Sequence, residues 1–210
     1  MSELFLASNF YTVSSMVSEI LHHKQRGKKT LYITTAAEGE EGDKTWLDDD
    51  RNALQKIGLE STDYTVTGKT QEDFAKDFKD IQYILVSGGN VFYLLEKAQQ
   101  SGFISFISQY MRDNDVVYCG SSAGAAVAGA DIYPLQALDD PKKAPDLKGN
   151  KGFGFVDLCL LPHWGSENFK DRYLNGGLVH AYGDKYKLVL LTNNQFLHVD
   201  ENGAYRILEI

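Results

Sequence analysis

Gly120-Ser121-Ser122-Ala123-Gly124 sets a serine between two glycines with one residue intervening on each side, the pattern G-x-S-x-G. A serine hydroxyl is a weak nucleophile near neutral pH, and it needs both an adjacent base and a backbone that presents it. Glycines at these two positions remove the Cβ atoms that a sharp strand-to-helix turn would crowd, so Ser122 suits a nucleophile on such a turn. Ser121 is the competing hydroxyl and suits a cap on the Ala-rich helix that follows. A second glycine pair, in Ser87-Gly88-Gly89-Asn90, could let backbone N–H groups approach a ligand oxygen closely. The N–H of Gly89, or of Gly88, with that of Ala123 would then form an oxyanion hole. The base is expected at His163, which follows the buried-looking run Cys159 to Leu161 and precedes a loop. A carboxylate should orient its ring, and Asp139 and Asp140 lie between the serine and the histidine.

These pieces need a scaffold that brings strand ends together. Val116 to Cys119 is apolar and β-branched, as in a buried parallel strand. Further strands are expected at Leu4 to Ala7, Lys29 to Thr35, Thr62 to Thr67 and Ile81 to Val86. Helical patterns fill the gaps at Tyr11 to Gln25, Trp46 to Ile57, Thr70 to Phe78, Val91 to Gln99 and Phe103 to Arg112. Such alternation predicts an α/β fold, a doubly wound, mostly parallel sheet with helices on both faces. Each candidate then lies where a strand ends, which is where open α/β sheets bind ligands. Ala36 to Lys44 and Asp131 to Gly152 read as loops, the second long enough to be functional or partly disordered. Phe153 to Leu161 is strand-like, Phe169 to Ala181 helical. Three late strands are expected at Lys187 to Leu191, Gln195 to Val199 and Ala204 to Glu209, the last two joined by a turn at Asn202-Gly203.

The chain has 210 residues, with 43% hydrophobic and 24% charged residues and a net charge of −8. That suits a single domain over residues 1–210 with a full core. The acidic balance argues against nucleic acid or an anionic membrane as partner, and no apolar run approaches the ~20 residues of a membrane span. The N-terminal stretch lacks the charge pattern of a signal peptide, so a cytoplasmic location is expected. Cys119 and Cys159 sit in separate apolar runs and read as core residues, neither metal site nor disulfide. Asp48-Asp49-Asp50 reads as a solvated helix face, because consecutive helical residues splay apart. His22 and His23 read as charges at a helix C-terminus. An α/β-hydrolase esterase shares the order Ser, Asp, His, and there His198 with Asp184 would replace His163. A ligand-binding relative without catalysis is the non-enzymatic alternative.

Val-Ser-Gly-Gly-Asn-Val-Phe-Tyr-Leu-Leu (86–95), Gly-Ser-Ser-Ala-Gly-Ala (120–125) and Leu-Pro-His-Trp (161–164) resemble, in the same order, the matching blocks of peptidase E and its relatives, peptidase family S51, a group that includes the cyanophycinases. The resemblance implies a class I glutamine-amidotransferase-like fold and a Ser–His–acid triad acting through an acyl-enzyme on small peptides, with no metal or organic cofactor. It implies Ser122 as nucleophile and His163 as base. Asp139 matches the family's aspartate best, and Asp140 is the alternative acid. A homodimer is compatible with it. Ala126, the pair Lys170 and Arg172, and Thr192-Asn193-Asn194 depart from the aspartyl dipeptidases, so a strict preference for N-terminal Asp is not expected.

Overall fold

The computed structural model describes residues 2–21 and 27–210; His22, His23 and the expected end of the first helix lie outside them. The chain opens with β1 (Leu4–Ala7), α1 (Phe10–Leu21), β2 (Lys29–Ile33), α2 (Thr35–Glu38), α3 (Thr45–Lys56) and β3 (Glu60–Tyr64). It continues through α4 (Gln71–Asp77), β4 (Tyr83–Val86), α5 (Val91–Ser101), α6 (Phe103–Asp113), β5 (Val117–Ser121) and α7 (Ala123–Val127). After a long loop come β6 (Cys159–Leu161), α8 (Glu167–Arg172), α9 (Leu178–Ala181), β7 (Leu188–Leu190), β8 (Gln195–Val199) and β9 (Tyr205–Glu209).

Seven strands form one sheet in the order β3-β2-β4-β5-β1-β8-β9. The first five are parallel, and β8 and β9 add on antiparallel. This is the doubly wound, mostly parallel sheet the sequence predicts. Successive residues of its strands point to opposite faces. Phe5, Tyr32, Leu85 and Cys119 therefore pack with α1 and α3, through Val13, Val17 and Leu54. Leu4, Leu6, Ile33, Ile84 and Tyr118 pack on the other face against α4 to α7, through Phe74, Leu94, Ile107 and Ala126. Strands buried on both sides explain why the inner runs read as continuous hydrophobics. The small strands β6 and β7 pair in parallel outside this sheet.

Four elements differ from expectation. β3 starts and ends earlier than Thr62 to Thr67, because the Val66 N–H goes to the Thr35 hydroxyl (2.9 Å) and leaves the ladder. Thr35–Glu38, at the start of the expected loop, is helical. Phe153 and Phe155 are not strand residues: their N–H groups go to the carbonyls of Val127 and Ala128, at the otherwise open end of α7. The expected helix Phe169 to Ala181 is α8 and α9 joined by a π-helical stretch, with non-helical backbone at Gly176. The loop 131–152 holds two 3₁₀ turns, Tyr133–Leu135 and Pro141–Lys143.

Candidate active site

The carboxyl ends of β1, β4 and β5 open into a cleft of about 440 Å³. Ser122 lines it, immediately after β5, with φ 51° and ψ −107°. A non-glycine residue with such angles is strained by about 1–3 kcal/mol, and its surroundings must hold it there. The flanking glycines show how. A Cβ on Gly120 would come 2.5 Å from the Gly124 carbonyl oxygen, and one on Gly124 would come 2.1 Å from that of Val86. The strand and α7 can approach this closely only with hydrogen at both positions. The Tyr118 hydroxyl donates to the Gly124 carbonyl (2.8 Å), and the Gly124 N–H donates to Ser87 (3.2 Å). The second bond ties the serine turn to the Gly88-Gly89 turn.

That turn lies against the serine: a Cβ on Gly88 would stand 3.4 Å from the Ser122 Cβ. Gly89 has φ 134°, and a Cβ there would meet the Ala36 backbone at 2.4 Å. Among the described residues neither the Gly89 N–H nor the Ala123 N–H is spent on a backbone acceptor. Both glycines of this turn line the cleft together with Ser122.

His163 reaches the serine from the loop after β6. Its Nε2 lies 2.8 Å from the Ser122 Oγ. Its backbone is left-handed (φ 63°), held by its own N–H donating to the Ser8 hydroxyl (2.7 Å) just past β1. The ring stacks on Phe169 (4.3 Å between centroids), and the Arg172 guanidinium lies on the same phenyl ring (5.0 Å). Nδ1 faces the Asn193 Oδ1 at 2.7 Å, and the Ser8 hydroxyl donates to that same oxygen (3.1 Å). An amide oxygen at Nδ1 requires the proton there, which leaves Nε2 to accept from the serine. Burial, followed by the Arg172 charge, holds the imidazolium below its ordinary pKa, although the Asn193 bond pulls the other way.

Asp139, the expected orienting acid, does not bond to His163. Its carboxylate accepts the Val91 N–H (2.9 Å) at the start of α5. Burial pushes the carboxyl up to about 7, against that bond and the Arg172 charge. Asp140 is further removed: it is exposed and caps its own 3₁₀ turn by accepting from Lys142. His198 is buried in β8, stacked on Phe5 and bonded to Glu3 (2.8 Å), while Asp184 is exposed elsewhere. Ser121 does not cap α7. Its hydroxyl accepts the Phe10 N–H (3.2 Å) and bonds to Asp50. Asp50 departs from the solvated face expected of its helix, being 3% exposed and accepting from the Tyr32 hydroxyl (3.2 Å). Burial raises its carboxyl to about 7.

The sequence reading missed Ser8, and it took Asn193 as a departure bearing on specificity rather than as a partner of His163. Asn193 sits between β7 and β8, thirty positions beyond His163, and an amide carries no titration to flag it. Among the described residues no group of three or more His, Cys, Asp or Glu side chains is arranged to hold a metal ion. No helix among them is long and apolar enough to cross a membrane.

The family model for peptidase family S51 matches residues 4–207. An uncharacterized peptidase of Listeria innocua is 30% identical over 199 residues, covering 95% of this chain and 93% of the relative. One from Pasteurella multocida is 28% identical over 200 residues, covering 95% and 94%. Among solved structures, a protein of Listeria monocytogenes provisionally assigned as peptidase E superimposes with a TM-score of 0.88 at 24% identity, covering 100% of this chain and 99% of that one. A peptidase from an acI-B1 Actinobacterium gives 0.74 at 17% identity, covering 100% and 88%. With its serine turn, its strand order and a family match over nearly its whole length, the chain belongs to peptidase family S51 and is a serine-type peptidase of the peptidase E kind.

Proposed function

We propose that the chain hydrolyses small peptides through an acyl-enzyme formed on Ser122, with His163 as base and Asn193 holding the imidazole. The observation that carries this reading is the 2.8 Å contact of the Ser122 Oγ with the His163 Nε2 on a turn that strains the serine outward. His163 takes the hydroxyl proton as the oxygen attacks the scissile carbonyl. The N–H groups of Gly89 and Ala123 hold the developing oxyanion. His163 then passes the proton to the leaving amine, and water repeats the sequence on the ester. An amide in the third position supplies orientation and tautomer control but no negative charge, as in the Cys–His–Asn arrangement of other peptidases. The cleft volume suits a ligand of dipeptide to tripeptide size.

The test is labelling by a fluorophosphonate, which reacts only with an activated serine, followed by hydrolysis of a dipeptide library. Wild-type protein should label, and Ser122→Ala should not. Unlabelled, folded wild-type protein would favour a binding protein that kept the fold and lost the chemistry.

A further inference from the structure

We propose that Arg172 receives the α-carboxylate of the residue that is released, so that the enzyme cuts the last bond before a free carboxyl end. This rests on the Ser122–His163 reading and adds what holds the leaving side of the peptide.

Among the described residues Arg172 is the one Lys or Arg side chain in the wall of the catalytic cleft, which also carries Glu40, Asp49, Asp50 and Asp139. An anionic group entering the cleft is therefore repelled by most of the wall and attracted at one place. A guanidinium has five N–H donors. Among the described residues the acceptor this one meets is the Leu138 carbonyl (2.6 Å), and no carboxylate lies within ion-pair distance of it. The charge and most of the donors are left for a ligand.

Its position follows from α8. Phe169 and Arg172 are three residues apart on that helix, so they share a side of it. The guanidinium lies over the Phe169 ring at 5.0 Å, and that ring stacks on His163 at 4.3 Å. Laid end to end, the two distances put the guanidinium carbon no more than about 9 Å from the centre of the imidazole. His163 hands its proton to the leaving amine, so the released residue comes away beside this ring. Its nitrogen then stands about 3 Å from Nε2. Its carboxyl carbon is about 2.5 Å beyond the nitrogen. A bidentate guanidinium–carboxylate pair adds about 4 Å between the two carbons. Arg172 is within that reach, whereas a carboxylate one residue further along the chain would overshoot it by up to about 3.5 Å.

The test compares Ala-Leu and Asp-Leu with Ala-Leu-amide and Asp-Leu-amide at a pH of about 8, where His163 is neutral and the terminal carboxyl is ionised. Wild-type kcat/KM should favour each free acid over its amide by about tenfold or more, the worth of a charge-assisted pair partly open to solvent. Arg172→Gln keeps a donor for the Leu138 carbonyl and should fold. It should bring the acid-to-amide ratio close to one, with the loss appearing in KM for the acids. Arg172→Lys, which keeps the charge without the fork, should restore part of the preference. A wild-type ratio below about threefold overturns the proposal without any variant. So does an Arg172→Gln protein that loses acid and amide alike and keeps the ratio, since that would return Arg172 to holding Phe169 against the His163 ring. Wild-type protein that fails to label with a fluorophosphonate would instead strike at the serine reading, and the proposal would fall with it.

Discussion

Replacing Asn193 with aspartate should move the acid edge of activity upward. The Asn193 Oδ1 stands 2.7 Å from the His163 Nδ1, with Ser8 donating to the same oxygen, so an aspartate would keep both bonds and add one negative charge. Two unit charges about 4 Å apart at an effective dielectric of about 20 attract by about 4 kcal/mol, or about three pKa units. Both side chains are partly open to solvent, so a rise of about one to three units is the working range. The sign follows from which form acts. Only neutral His163 can take the serine proton, so activity is lost as pH falls through its folded pKa. In the wild-type protein that value is held below 6.5, first by burial and then by Arg172. In the variant it should be raised, so on the acid side the labelling rate should fall below that of wild type at the same pH. At about pH 8.5 the variant should be as fast or faster, because its imidazolium is better stabilised. Stability should follow the same linkage. The wild-type protein loses stability as pH falls from 6.5 toward the folded value, because the unfolded state takes up the proton first. The variant should gain stability in that range and lose it as pH rises through the raised value. The assay is fluorophosphonate labelling rate against pH, since that probe reports on the serine and its base alone. An acid edge within about 0.3 units of wild type would show that residue 193 does not face the ring, and the Ser–His–Asn arrangement would be refuted.

The neighbouring hydroxyls should separate cleanly: Ser122→Ala should abolish labelling and peptide hydrolysis with little change in Tm. Ser121→Ala should still label, but at a stability cost of about 1–3 kcal/mol by urea unfolding, because it strips partners from the Phe10 N–H and Asp50. Gly124→Ala should cost more than about 3 kcal/mol or displace the serine turn, since its Cβ would stand 2.1 Å from the Val86 carbonyl oxygen; a variant with wild-type stability and labelling would mean the close approach is illusory. Asp50 binds its proton more tightly folded than unfolded, so it should erode stability as pH rises from about 4 to about 7, and Asp50→Asn should flatten the Tm-against-pH curve over that window. An unchanged slope would show that the carboxyl is ionised in the folded protein at low pH.

The legible parts of this site are those whose chemistry is also a local steric demand. Gly120 and Gly124 had to be glycine because backbone lies 2.5 and 2.1 Å from where their side chains would start, and so the serine between them could be read from five residues. The parallel sheet was readable for a similar reason: strands covered on both faces must be continuously apolar, and β4 and the first three residues of β5 are. His163 could be placed because it ends such a run. What followed from long-range approach could not be read. Asn193 meets His163 only because β8 runs antiparallel beside β1 and brings residue 193 to the Ser8 end of that strand. The sequence instead offered Asp139, a carboxylate in the expected interval, and chain order alone cannot distinguish an acid that orients the base from one set at the start of α5. Asp50 was hidden by its neighbours. Three consecutive aspartates look like one solvated patch, yet the helix turns about 100° per residue, so one of the three can face Tyr32 while Asp48 pairs with Arg51 in solvent. The division has a consequence for the chemistry. The turn that presents Ser122 is closed by backbone contacts among the ends of β1, β4, β5 and α7, whereas His163, Asn193 and Asp139 are each carried by a different loop. Substitutions in those loops should therefore change the surroundings of the His163 ring without disturbing the turn that presents Ser122.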